Sequence, residues 1–177
     1  IYLVVGERRE GRRSRMDNVH ISNVYAEVPA TKPDAGYDYE GPTEDNPRNV
    51  SPSGIVGLQD NKITNVFIEN VEIVYPGGGN PLYAKVGLDE LDKVPEMPKA
   101  YPEFSQHKEL PAWGFYVRHV DGVTFKNVKL TALKKDYRPA IVLDDVHNGA
   151  FTKIKVVEPS AGKKEKIHVY KSTKIRK

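Results

Sequence analysis

A unit of eleven residues recurs along this chain, and a recurring unit restricts the fold more than any composition can. Its best copy, Asn65 to Tyr75, reads NVFIENVEIVY. Asn18 to Val28 reads NVHISNVYAEV, Gly122 to Ala132 reads GVTFKNVKLTA, and Asn148 to Val157, less faithfully, reads NGAFTKIKVV. A second, shorter apolar run precedes each copy: Ile1 to Gly6, Ser53 to Leu58, Trp113 to His119 and Pro139 to Asp145, with Ile167 to Tyr170 as a further candidate.

The apolar positions of the unit are Val19, Ile21, Val24, Ala26 and Val28, then Val66, Ile68, Val71, Ile73 and Tyr75, then Val123, Phe125, Val128, Leu130 and Ala132. They alternate as a strand does, except for one extra residue in the middle. That extra residue falls beside Asn23, Asn70 and Asn127, and asparagine enters the left-handed backbone region more readily than other non-glycine residues. Each unit therefore reads as two short strands hinged at an asparagine. Such a repeat cannot bury its apolar face alone and must stack on its neighbours, about 4.8 Å apart as parallel strands. The expected fold is all-β, a right-handed parallel β-helix (solenoid) of about four to five rungs, with Asn23, Asn70 and Asn127 forming a hydrogen-bonded ladder. Seven or eight short strands would also suit a β-sandwich, which leaves the recurrent asparagines unexplained.

Ile21, Ile68, Phe125 and Phe151 occupy equivalent positions spaced 47, 57 and 26 residues apart. The last spacing is near a bare coil, and the larger ones imply loop excursions at residues 29–52 and 76–112 of a single domain spanning 1–177. The second contains LDELDKV, which suits a helical turn, and the proline-rich PEMPKAYPEF. Long loops in compact folds often carry function. Aligning the third and fourth repeats sets Arg118 beside Asp144 on neighbouring strands and predicts an ion pair; outward and exposed, it would contribute about 0 to 1 kcal/mol.

Composition adds limits. The formal charge of +3 over 177 residues is modest and gathers in GERREGRRSR, Gly6 to Arg15, and in a lysine-rich end. Such runs are commonly solvated loops, so nothing here demands nucleic acid. There is no cysteine, which removes disulfides and thiolate chemistry. No stretch reaches the roughly 20 apolar residues of a membrane helix. The histidines at 20, 107, 119, 147 and 168 lack zinc-site spacing, calcium loops are absent, and the Gly77 to Gly79 run does not continue as a phosphate loop, so no metal or cofactor is expected. The opening IYLVV begins inside an apolar strand without a methionine, and suggests part of a longer polypeptide.

The NVxIxNV units, GERREGRRSR, EIVYPGGGNP and above all ELPAWGFYVRHVDGVTFKNV followed by DYRPAIVLDDV together resemble the C-terminal part of bacterial proteins related to glycoside hydrolase family 28, the polygalacturonase-like enzymes. The resemblance spans nearly the whole chain and is most specific from Leu110 to Val146. It implies a parallel β-helix, an acidic pectin-type polysaccharide or oligosaccharide as partner, hydrolysis with inversion by the parent protein, and a periplasmic or extracellular location. The family's Asn-Thr-Asp, His-Gly and Arg-Ile-Lys signatures do not occur here, and only Asp144-Asp145 resembles its Asp-Asp. The resemblance therefore implies that this chain is inert alone, with any catalytic residues on upstream rungs of the same protein.

Several residues could still contact sugar. Trp113 and Tyr116 offer aromatic faces, and Arg118 and His119 could meet a uronate carboxylate. Arg8, with Arg9, Arg12, Arg13 and Arg15, could form a positive lip. His107 and Glu109 lie in the long loop near Trp113. Each has a plainer structural reading, as core anchor, strand-edge packing or solvated loop. A noncatalytic carbohydrate-binding or structural β-helix, and a sandwich-type binding module, are the rival expectations.

Overall fold

The computed structural model describes residues 1–9, 11–30, 51–79, 81, 86–99, 110–159 and 165–177. Among them are eight strands: β1 (Tyr2–Val4), β2 (Asp17–Glu27), β3 (Ser53–Val56), β4 (Ile63–Gly77), β5 (Phe115–Lys134), β6 (Ile141–Val157), β7 (Ile167–Tyr170) and β8 (Thr173–Arg176). One 3₁₀ turn, Leu91–Lys93, realises the expected turn in LDELDKV. The first excursion falls mostly on residues 31–50, outside the described residues.

All ladders between these strands are parallel. The order is β1-β3-β5-β4-β2, with β6 on β5 and both β7 and β8 on β6, and the sheet curls into a half-barrel. The repeats predict the register. Ile21 pairs with Ile68, Ile68 with Phe125, and Phe125 with Phe151. Parallel stacking of identical positions puts like on like, so each inward column is apolar throughout.

The curl has a backbone cause. Asn23, Asn70 and Asn127 have φ of 58°, 52° and 54°, and Lys153 follows them with 55°. The ladder forms as expected: Asn70 Nδ2 donates to Asn23 Oδ1 at 3.2 Å, and Asn127 Nδ2 to Asn70 Oδ1 at 2.9 Å. Two further columns of left-handed corners were not anticipated. One runs Asn18, Asn65, Gly122, Asn148 and Lys174; the other runs His119, Asp145 and Lys171. In these columns the β5 and β6 rows carry three left-handed corners each, and the β2 and β4 rows two.

The inward residues of β4 and β5 are almost wholly buried, with Val66, Ile68, Phe125 and Leu130 at 0% exposure. Phe115 and Phe151 flank Phe125 at centroid distances of 4.9 and 5.2 Å. Burying side chains of this size contributes about 1.5–3 kcal/mol each. A second apolar cluster lies outside the curl, where Leu91, Val94, Leu110 and Ala112 cover Val56, Tyr116 and Val142. The second excursion thus folds back onto the sheet's outer face. The expected Arg118–Asp144 pair forms on the outer face, and that packing buries it, at 5% and 2% exposure, so the estimate for an exposed pair does not apply.

Candidate functional site

Where the excursion meets β5 and β6, consecutive residues of each strand face different partners. Arg118 and Asp144 sit opposite each other in register, and the next residues, His119 and Asp145, are left-handed corners. Gly57 occupies the equivalent corner of the preceding row, its amide bonded to the Arg118 carbonyl at 2.9 Å.

Arg118 is held by three protein groups. Its Nη1 donates to the Val94 carbonyl at 2.7 Å, Nη2 lies 3.3 Å from Glu96, and Nε lies 3.1 Å from Asp144 Oδ2. That last approach is an ion-pair contact without an aligned N–H, since Nε makes no hydrogen bond. Tyr116 donates its hydroxyl to the same Asp144 oxygen at 2.7 Å. Burial is the main influence on Asp144 and raises its pKa, outweighing Tyr116 and Arg118; burial also pushes the Tyr116 phenol well up.

His119 bridges two carboxylates. Nδ1 lies 2.7 Å from Asp145 Oδ2, and Nε2 lies 2.7 Å from Glu96 Oε1. Burial opposes its charge, but the hydrogen bonds to Glu96 and Asp145 prevail and raise its pKa. Asp145 also accepts from Lys62 at 2.8 Å and meets His147 at 2.8 Å. Burial works against its ionised form, yet Lys62, His119 and His147 together hold it down at about 2. Glu96 is likewise lowered, against its own burial, by His119 and Arg118.

This cluster is not the apparatus of an inverting hydrolase, which holds two carboxyl groups about 6.5–9.5 Å apart around a water. The imidazole of His119 fills the space between Glu96 and Asp145. Asp144 and Asp145 point to separate partner sets and do not face a common gap.

The open space lies next door. Val4, Gly6, Arg8, Arg9, Arg12, Ser14 and Met97 line a cleft of about 580 Å³. A tight loop shapes it, with the Arg12 amide bonded to Arg9 O at 3.0 Å and Ser14 N to Gly6 O at 3.4 Å. The opposite wall is tied on by Glu7 N to Pro98 O at 2.6 Å. Arg13 turns toward Asp60 and Glu7 instead, and Arg15 toward Asp17. A lining of three arginines with Val4 and Met97 suits a ligand that carries both negative charge and a hydrocarbon face.

The residues singled out from the sequence therefore separate. Arg8 opens onto the cleft. Trp113 is 1% exposed and packs edge-on to Tyr75 at 5.7 Å, so it anchors the core and presents no face for a sugar ring. Tyr116, Arg118 and His119 are buried and bonded internally, which removes them from direct contact with a ligand. His107 and Glu109 lie outside the described residues. Glu96, Met97 and Lys62 were missed. They come from unrepeated connections, where no period relates them to β5.

Among the described residues, no group of three or more His, Asp or Glu could hold a metal ion, and no helix is long and apolar enough to cross a membrane. Comparison with protein-family models, curated proteins and solved structures gives no match to this chain.

Proposed function

We propose that this chain is a section of a right-handed parallel β-helix related to glycoside hydrolase family 28, acting outside the cytoplasm on a pectin-type polysaccharide. Its own part is recognition without catalysis, of an acidic saccharide at the cleft of Arg8, Arg9 and Arg12. The resemblance from Leu110 to Val146 supports the family, and the uninterrupted parallel register supports the solenoid. One observation supports the functional reading: Arg8, Arg9 and Arg12 line an open cleft together with Val4 and Met97, whereas the Glu96–His119–Asp145 cluster is filled by its own side chains.

Calorimetric titration with oligogalacturonate, and with the same oligomer fully methyl-esterified, tests the reading. Binding of the acid form that weakens with salt and is lost in Arg8→Ala/Arg12→Ala is expected, with no release of reducing ends. Equal binding of both forms would remove the acidic-ligand reading of the arginines, and no binding would remove the saccharide role and leave a structural wall. Turnover abolished by Asp145→Asn would overturn the noncatalytic assignment.

A further inference from the structure

The outward column that holds Arg118 and Asp144 starts with smaller side chains. Val4 pairs with Val56, Val56 with Arg118, and Arg118 with Asp144. The segment from Val94 to Met97 lies over this column, fastened by Arg118 Nη1 to the Val94 carbonyl and by His119 Nε2 to Glu96. Where it passes Arg118 it rests on a long side chain. Over Val4 and Val56 it spans two short ones, and a recess of about 10 Å³ remains between them and Pro95 and Met97.

The recess adjoins the arginine cleft, because Val4 and Met97 line both. A space of this size takes one small group, and water is poorly served there, since a buried water needs two to four polar partners. The polar side chains on the lining are already engaged. Arg118 Nη1 and Nη2 face Val94 O and Glu96, its Nε lies against Asp144, and Glu96 meets His119. Val4, Val56, Leu58, Pro95 and Met97 give the rest of the recess an apolar surround.

We infer that this recess is a subsite for a single methyl group carried by the acidic ligand, the methyl of an O-acetyl ester on a ring hydroxyl. The inference rests on the reading of the cleft as an acidic-saccharide site and narrows it to an acetylated one. A methyl ester of the uronate would bring a methyl group too, but it removes the charge that Arg8, Arg9 and Arg12 are suited to meet. An acetyl group on a neighbouring hydroxyl keeps that charge. Met97 suits the entrance, because an unbranched, flexible side chain adapts its shape around a small guest.

Calorimetric titration of the whole chain with oligogalacturonate, its mono-O-acetyl ester and its mono-O-butyryl ester tests the subsite. The acetyl form should bind about fourfold more tightly than the unacylated acid, the worth of one buried methyl group. The butyryl form should show no such gain, because the recess has no room for the longer chain. Isotope-filtered NMR should place the acetyl methyl protons against the methyl groups of Val4 and Val56. In Val56→Ile the added methylene should occupy the recess and make the acetylated and unacylated affinities equal. If the acid binds and acetylation leaves its affinity unchanged or lowers it, the inference fails and the cleft reading stands; if no form binds, both fail. A butyryl gain as large as the acetyl gain would assign the effect to general surface hydrophobicity, and a gain that survives Val56→Ile would place the methyl group elsewhere; either overturns the inference. Should Val56→Ile not fold, the butyryl comparison and the NMR contacts on the unmodified chain decide the matter.

Discussion

His119 Nε2 lies 2.7 Å from Glu96 Oε1 across 23 residues of chain, and through that contact a corner of β5 holds the wall of the arginine cleft. The imidazole needs both of its N–H groups to serve Glu96 and Asp145, and a neutral ring has only one.

The first prediction is a pH dependence. The folded pKa of His119 is raised, so its contribution is complete below the unfolded value of about 6.5 and is lost as pH rises through the folded value. Asp145 is lowered from 3.8 to about 2, so its contribution is present above 3.8 and is lost as pH falls toward 2. The melting temperature should therefore be greatest between these limits and decline as pH rises above about 6.5. In His119→Gln the alkaline decline should disappear while the acid one remains. Thermal unfolding from pH 3 to pH 9, with an NMR titration of the imidazole, reads both.

A second prediction separates the two partners of the buried ion pair. Arg118→Met leaves Asp144 without its cation and should cost about 3–5 kcal/mol, the usual penalty for stranding a buried charge, while Glu96 keeps His119. Asp144→Asn should cost about 1 kcal/mol, because burial already disfavours the charge and the amide oxygen can still accept from Tyr116. Equal losses for the two variants in urea unfolding would mean that the ionised pair, and not Arg118's wider set of contacts, holds the excursion down.

What the residues revealed in advance follows from how the repeat works. Equivalent positions stack, so Ile21, Ile68, Phe125 and Phe151 could be placed in one column by comparison alone, and Arg118 could be set opposite Asp144. The corners at Asn18, Asn65 and Asn148 escaped because each begins a copy of the unit and looked like a strand start; only φ distinguishes the two. The burial of Arg118 depends on Leu91 and Val94 folding over the outer face, and Glu96 reaches His119 from the same segment. No repeat relates that segment to β5, so nothing periodic could announce it. Trp113 shows the converse problem: an aromatic at a loop-to-strand junction reads alike as core or platform until its neighbours are known.

The ladder gives a third prediction. Asn70 donates to Asn23, accepts from Asn127, and holds φ at 52°. Replacing it with glycine keeps the corner but removes both side-chain bonds, for about 1 kcal/mol at this exposed position. Alanine additionally places a Cβ in the left-handed region, adding about 1–2 kcal/mol. Asn70→Ala should thus be less stable than Asn70→Gly. The opposite order in chemical denaturation would show that glycine's chain entropy outweighs the corner geometry.

The last prediction concerns Gly57, which shares a column with His119 and Asp145 but has no left-handed φ to explain it. Its reason is space: a Cβ there would overlap the carbonyl oxygen of His119 and crowd the backbone at Lys62 and Ile63. All of these are main-chain atoms, so no rotamer change relieves the contact. Gly57→Ala should cost about 1–3 kcal/mol, as overpacking does. The displacement would fall on the residue that bridges Glu96 and Asp145, and Lys62, also crowded, is bonded to Asp145. The variant should therefore lose the alkaline dependence of stability along with its overall loss. A Gly57→Ala protein that is destabilised but keeps the wild-type pH profile would mean that the row absorbs the methyl group without moving the His119 corner.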